Sequence, residues 1–181
     1  MRNSFLAAAT LGAAVLSASA FCQVVHTAVD ATPYNISLKG SVYWPIDDNL
    51  RHVDHMFAGA GLEYLFPTQL IRGSETFMEL DALLHTTASS NLTILPLTIN
   101  QRFYSKPGSS LFGHNGRSYF YLGGGVTWFD PRGAAKLTFH GGIGSDLGPR
   151  TFLEAAIYIS EQDSNMGLRN SGVIASLGYR F

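Results

Sequence analysis

The sequence is short of charge, nearly free of cysteine and, beyond its N-terminus, without a long apolar run. Charged residues make up 14% of the 181, against about 25% in an ordinary soluble domain. With a formal net charge of −1 and lysines and arginines scattered rather than blocked, the footprint of a nucleic-acid partner is missing. The lone cysteine, Cys22, excludes an internal disulfide. A lipid anchor on Cys22 is the sharper reading. The bulky Phe21 before it departs from the small residue that lipidation wants, so an incidental thiol is expected instead. After residue 20 no run of about 18 apolar residues occurs, which leaves no candidate for a helical membrane span.

The first residues, MRNSFLAAATLGAAVLSASA, set Arg2 before a short apolar stretch that ends in Ala18-Ser19-Ala20. A short apolar helix followed by small residues that fit a signal peptidase is the physical content of an export signal. The expected organisation is a signal peptide over 1–20, a short irregular lead-in over 21–33 and one domain over 34–181.

Glycine, at 19 residues, and aromatics, at 12%, are plentiful, and they sit in a period-2 pattern. Alternation predicts eight strands of about ten residues: Tyr34 to Trp44, His55 to Phe66, Ser74 to His85, Leu92 to Phe103, Arg117 to Phe129, Ala135 to Asp146, Thr151 to Ser160 and Ser171 to Phe181. Turn chemistry such as Asp130-Pro131-Arg132-Gly133 separates them.

The two faces differ. Met78, Leu80, Ala82 and Leu84 oppose Phe77, Glu79, Asp81, Leu83 and His85; Leu137, Phe139 and Ile143 oppose Lys136, Thr138, His140 and Asp146; Val173, Ala175, Leu177, Tyr179 and Phe181 oppose Ser176, Gly178 and Arg180. Glu154 lies on a polar face with Ala156 and Tyr158, and Lys39, Glu63 and Arg102 fall on polar faces by the same count.

A soluble sandwich turns the apolar face inward, whereas a membrane barrel turns it to lipid and pairs its charges inside. The export signal, the scarcity of charge and the aromatics at strand ends favour the barrel. Trp44 and Trp128 end odd strands, and Phe66, Phe103, Tyr179 and Phe181 end even ones, so antiparallel strands carry the two sets to opposite rims. That is a double aromatic girdle. In lipid an open sheet edge has no water to bind, so the first and last strands must pair. Phe181 is then ordered because its strand closes the barrel. The fold expected is all-β, an eight-stranded antiparallel up-and-down transmembrane β-barrel.

Over about residues 34 to 181 the sequence resembles the small bacterial outer-membrane β-barrels, related in architecture to the OmpA- and OmpX-like eight-stranded barrels. The terminal series Val173, Ala175, Leu177, Tyr179, Phe181 and the pair YFYLGGGVTWF and KLTFHGGIGSDLG carry the resemblance. It implies that Tyr179 and Phe181 are the signal read by the barrel-insertion machinery, with both chain ends in the periplasm. Loops near 45–54, 86–91, 130–134 and 161–170 then face outward. YSKPGSSLFGHNG falls on the periplasmic side, where turns are usually short.

Other motifs give weaker readings. His52-Val53-Asp54-His55 offers metal ligands or a base but lies in a polar outward loop with no third clustered ligand. A membrane-embedded lipid hydrolase or acyltransferase would need His85 and Ser89 near the outer rim with a carboxylate, which spacing cannot assemble. Gly123-Gly124-Gly125 lacks the helix and Lys-Ser/Thr of a phosphate loop, and making room for bulky interior neighbours suits it better. Asn35-Ile36-Ser37 and Asn91-Leu92-Thr93 match a glycosylation pattern that would be idle in a bacterial barrel.

Inside, Lys39, Arg102, Lys136 and Arg180 stand against Glu63, Glu79, Asp81, Asp146 and Glu154. An eight-stranded interior is just wide enough to be filled by side chains, and buried charges persist only when paired. A charge-plugged lumen is expected, with Arg102 serving the acidic cluster around Glu63, Glu79 and Asp81. A narrow pore is the alternative. The protein is expected to be non-enzymatic and without cofactor or metal. Its expected partners are outer-membrane lipid and, during assembly, the insertion machinery; its surface partner is not legible.

Overall fold

The computed structural model describes residues 34–85, 92–106, 116–130 and 133–181. The expected signal peptide, Cys22, the lead-in, Ser89 and Asn91 lie outside the described residues. Strands β1 (Ile36–Pro45), β2 (Phe57–Leu65), β3 (Glu75–His85), β4 (Thr93–Tyr104), β5 (Ser118–Asp130), β6 (Lys136–Asp146), β7 (Thr151–Ser160) and β8 (Gly172–Arg180) follow in order. Each pairs antiparallel with the next, and β1 pairs with β8 to close the barrel. The strands start and stop within two residues of the sequence-based bounds. Closure orders the terminus: the Phe181 amide donates to the Ile36 carbonyl at 2.8 Å.

Both ends of the described chain lie at one end of the barrel, the terminal end, together with the β2–β3, β4–β5 and β6–β7 connections. At the other, the loop end, the β1–β2 segment departs from the polar loop expected. Asp48–Val53 form a short helix, α1, capped by the Asp47 carboxylate accepting from the Leu50 amide at 3.0 Å. Its two apolar positions, Leu50 and Val53, stand three apart, but six residues are too short a window from which to read a helical period. His52, read as a metal ligand or base in a polar loop, lies in the last turn of this helix with its ring nitrogen on the Asp48 carbonyl.

The alternation works as expected from a period of two. Leu137, Phe139 and Leu177 face out and are 56–59% exposed, while Lys39, Glu63, Glu79, Arg102 and Glu154 face in and are buried. Large inward side chains need small neighbours. Gly178 lies opposite Phe152, and Gly144 opposite Tyr119; an inward Cβ at either would collide with that ring. Of the glycine triplet, Gly123 and Gly125 face in beside β4, and the tyrosines of β5 are accommodated instead by Gly142 and Gly144 of β6.

Candidate functional site

The inward side chains form three levels. At the terminal end Arg180 of β8 donates to Asp146 of β6 at 2.8 Å, and Arg117 lies 3.9 Å from the same carboxylate. Above them, Arg102 of β4 reaches Glu63 at 2.6 Å, Glu154 at 3.3 Å and Glu75 at 3.5 Å. Its guanidinium lies against the Phe77 and Tyr119 rings, with centroids at 4.2 and 4.8 Å. Lys39 of β1 pairs with Glu79 and, at 3.3 Å, with Glu154. Glu154 therefore joins both cations and also accepts from the Tyr119 hydroxyl at 2.9 Å. Of the ion pairs of Arg102 and Lys39, all but Arg102–Glu75, which joins neighbouring β4 and β3, cross the lumen between strands that are not neighbours, as from β4 to β7, β1 to β3 and β2 to β4.

The expected assignment of Arg102 needs correction. Glu63 and Glu79 do stand side by side in the β2–β3 register, but only Glu63 goes to Arg102. Glu79 goes to Lys39, and Asp81 accepts from the Tyr158 hydroxyl at 2.5 Å. The tilt of the strands sets neighbouring positions at different heights, so adjacency in register does not select the partner. Lys136 is a second correction. It stands at the loop end, 4.0 Å from Asp163 of the β7–β8 loop, away from the central network.

Glu75, which shares the parity of Glu79 and Asp81, joins the network although the sequence reading omitted it. The near balance of charge therefore tips toward acid, and Glu79 Oε2 and Asp81 Oδ1 are buried without a hydrogen-bond donor among the described residues. His140, on the expected polar face, stacks on Tyr158 with ring centroids 4.1 Å apart.

At the loop end the filling is apolar. Tyr43, Phe57, Leu83, Ile94, Phe129 and Ile174 from the strands join Leu50 of α1 and Leu168 of the β7–β8 loop in one buried cluster. The loops are tied together above it. Asn49 and Gln162 both donate to the Gly167 carbonyl at 2.9 Å, with Gly167 in the left-handed region at φ 69°. Asp163 accepts from the amides of Ala134, Asn165 and Met166 at 2.8–2.9 Å, joining the β5–β6 and β7–β8 loops.

Burial alone would raise the Asp163 carboxyl; the Ala134, Met166 and Asn165 amides, with Lys136 nearby, hold it below the ordinary 3.8. A group depressed in the folded state contributes stability fully above its ordinary value, lost as pH falls through the lower one. The Asn165 and Met166 amide resonances should therefore titrate together with a midpoint below 3.8 and stay unmoved at neutral pH. A midpoint at or above the ordinary value would exclude this anchor.

The aromatic girdle residues fall at two heights. Trp44 and Trp128 face out at the loop end. Phe66, Phe103, Tyr179 and Phe181 lie at the terminal end, packed in the pairs Tyr64–Phe66, Phe103–Phe120 and Tyr179–Phe181 at 5.0–5.4 Å.

The fold is a closed, eight-stranded, antiparallel up-and-down β-barrel. No family model matches this chain, and no curated protein matches it. Among solved structures it is similar to the Yersinia pestis outer membrane protein Ail, determined in a phospholipid bilayer nanodisc. Identity is 13% and the TM-score 0.49, over 82% of this chain and 99% of that one. So remote a likeness carries no residue's role from one chain to the other.

Of the enzymatic candidates, His85 stands at the loop end of β3 opposite Phe57, and Ser89 lies outside the described residues. His52 and His55 are exposed while Asp54 is buried. Among the described residues no group of three or more His, Cys, Asp or Glu is placed to hold a metal ion.

Proposed function

We propose that this chain is a non-enzymatic integral protein of the bacterial outer membrane, exported by its N-terminal signal, with a lumen filled by paired charges. Its loops at 45–54, 86–91, 130–134 and 161–170 serve surface interaction or envelope integrity. The observation that carries this reading is the outward band of large apolar side chains, among them Leu38, Leu80, Ile99, Leu137, Phe139 and Leu177, each 42–59% exposed. Soluble monomers rarely expose a contiguous apolar patch beyond a few hundred Å²; a barrel in hydrocarbon requires one, flanked by aromatic residues. Closure supports the same reading, since it leaves no strand edge unpaired in lipid.

The protein should fractionate with outer membranes and migrate differently in electrophoresis before and after heating in detergent. Recovery of a detergent-free soluble monomer from the periplasm would overturn the membrane location. In a planar bilayer no steady conductance is expected, because side chains from opposite walls meet in the lumen. A steady channel would replace the plug by a narrow pore without disturbing the location.

Tyr179 and Phe181 act in this reading as the segment read by the insertion machinery. Removing Phe181 should lower the outer-membrane level of the protein while synthesis and export continue. An unchanged level would remove that role.

A further inference from the structure

Cations collect at the terminal end of the barrel, where Arg72, Lys106, Arg117, Arg150 and Arg180 lie on turns and strand ends. The acids there are already engaged, Glu75 with Arg102 and Asp146 with Arg180. Arg150 is distinguished by where it points. It closes the tight β6–β7 turn, in which the Leu147 and Gly148 amides both donate to the Thr151 carbonyl, at 2.9 and 3.3 Å. From that turn its Nε donates to the Tyr34 hydroxyl at 3.1 Å and its Nη1 to the Tyr179 hydroxyl at 3.2 Å, with the Tyr34 ring centroid 4.8 Å away. Tyr179 belongs to the outward face, beside Leu38 in the register and edge-on to Phe181.

The described partners of Arg150 are thus neutral, two phenol oxygens and a ring face. They orient the guanidinium against the outward aromatic belt without cancelling its charge, and they occupy only two of its five N–H donors. A planar fork of donors with an uncompensated charge matches a phosphate. Leu147, exposed in the same turn, keeps an apolar side chain beside it.

We propose that Arg150, set between Tyr34 and Tyr179, seats the phosphate of an anionic phospholipid in the leaflet at the terminal end of the barrel. The proposal rests on the membrane reading above. An anionic headgroup is favoured because it brings no ammonium of its own to compete with the guanidinium.

The test uses the full chain in phosphatidylcholine vesicles containing a minority of phosphatidylglycerol, with spin-labelled forms of both lipids. Quenching of the native Trp44 and Trp128 by brominated lipid checks the membrane reading itself; without it, that reading falls. With quenching present, the wild type should select phosphatidylglycerol over phosphatidylcholine by about fivefold. Arg150→Gln should lose this preference, and Arg51→Gln, altered at the opposite end, should keep it. An unchanged preference in Arg150→Gln, or an equal loss in Arg51→Gln, would overturn the seat. Abolition of the wild-type preference by inorganic phosphate, against chloride at matched ionic strength, would make it a free-anion site and overturn it as well.

Discussion

Arg102→Ala should destabilise the folded barrel by about 3–5 kcal/mol in urea unfolding from lipid vesicles, the usual cost of removing one partner of a buried ion pair. Arg102 holds Glu63, Glu75 and Glu154, and the lumen is already richer in acid than in base. Lys39 cannot take its place, being engaged with Glu79 and Glu154 from the opposite wall. Adding Glu63→Gln to the variant should recover part of the loss, because one uncompensated carboxylate is then removed. A single variant as stable as the wild type, or a double variant no better than the single, would show that water rather than Arg102 carries these charges. Ala in place of an exposed residue such as Asp48 should change stability by only a few tenths of a kcal/mol.

Leu50→Asp is expected to release the loop-end cap and leave the barrel standing. The helix that carries Leu50 has six residues, too few to persist alone in water. The Asp47 cap, the Asn49 bond to Gly167 and above all the burial of Leu50 with Tyr43, Phe57 and Leu168 keep it in place. Removing a buried leucine costs roughly 2–5 kcal/mol, and here the loss falls on a segment that adds nothing to the strand ladder. Cleavage by trypsin at Arg51 should rise about a hundredfold, the population change equivalent to roughly 3 kcal/mol of local opening. The heat-dependent shift in electrophoresis should persist, and the variant should still not conduct, since the charged level below the cap is untouched. An Arg51 bond cut no faster than in the wild type would show that Leu50 does not hold the cap.

The strand count, the closure and the division of faces were legible in the sequence because each follows from a local rule. A strand has a side-chain period of two, so Glu79 and Asp81 must share a face that Leu80 does not. A barrel cannot leave an edge, so a pattern running to Phe181 has to pair with the first strand. The inward set was therefore readable almost residue by residue. Glu75 already lay inside the third strand read from the sequence, and its parity with Glu79 was there to be counted.

The pairing within that set was decided by the tertiary structure alone. Strand tilt and closure carry β7 across the lumen from β4, and so put Glu154 between Arg102 and Lys39, residues far apart in the chain. No one-dimensional spacing encodes that distance. The cap is of the same kind. Leu50 and Asp163 belong to loops without a period, and their places depend on a mouth that exists only once eight strands have closed. Sequence alone set which side chains face the lumen and which face out, since that is a property of each residue and its neighbours two places away. Which charge meets which was left to geometry, because an ion pair is chosen by separation in space.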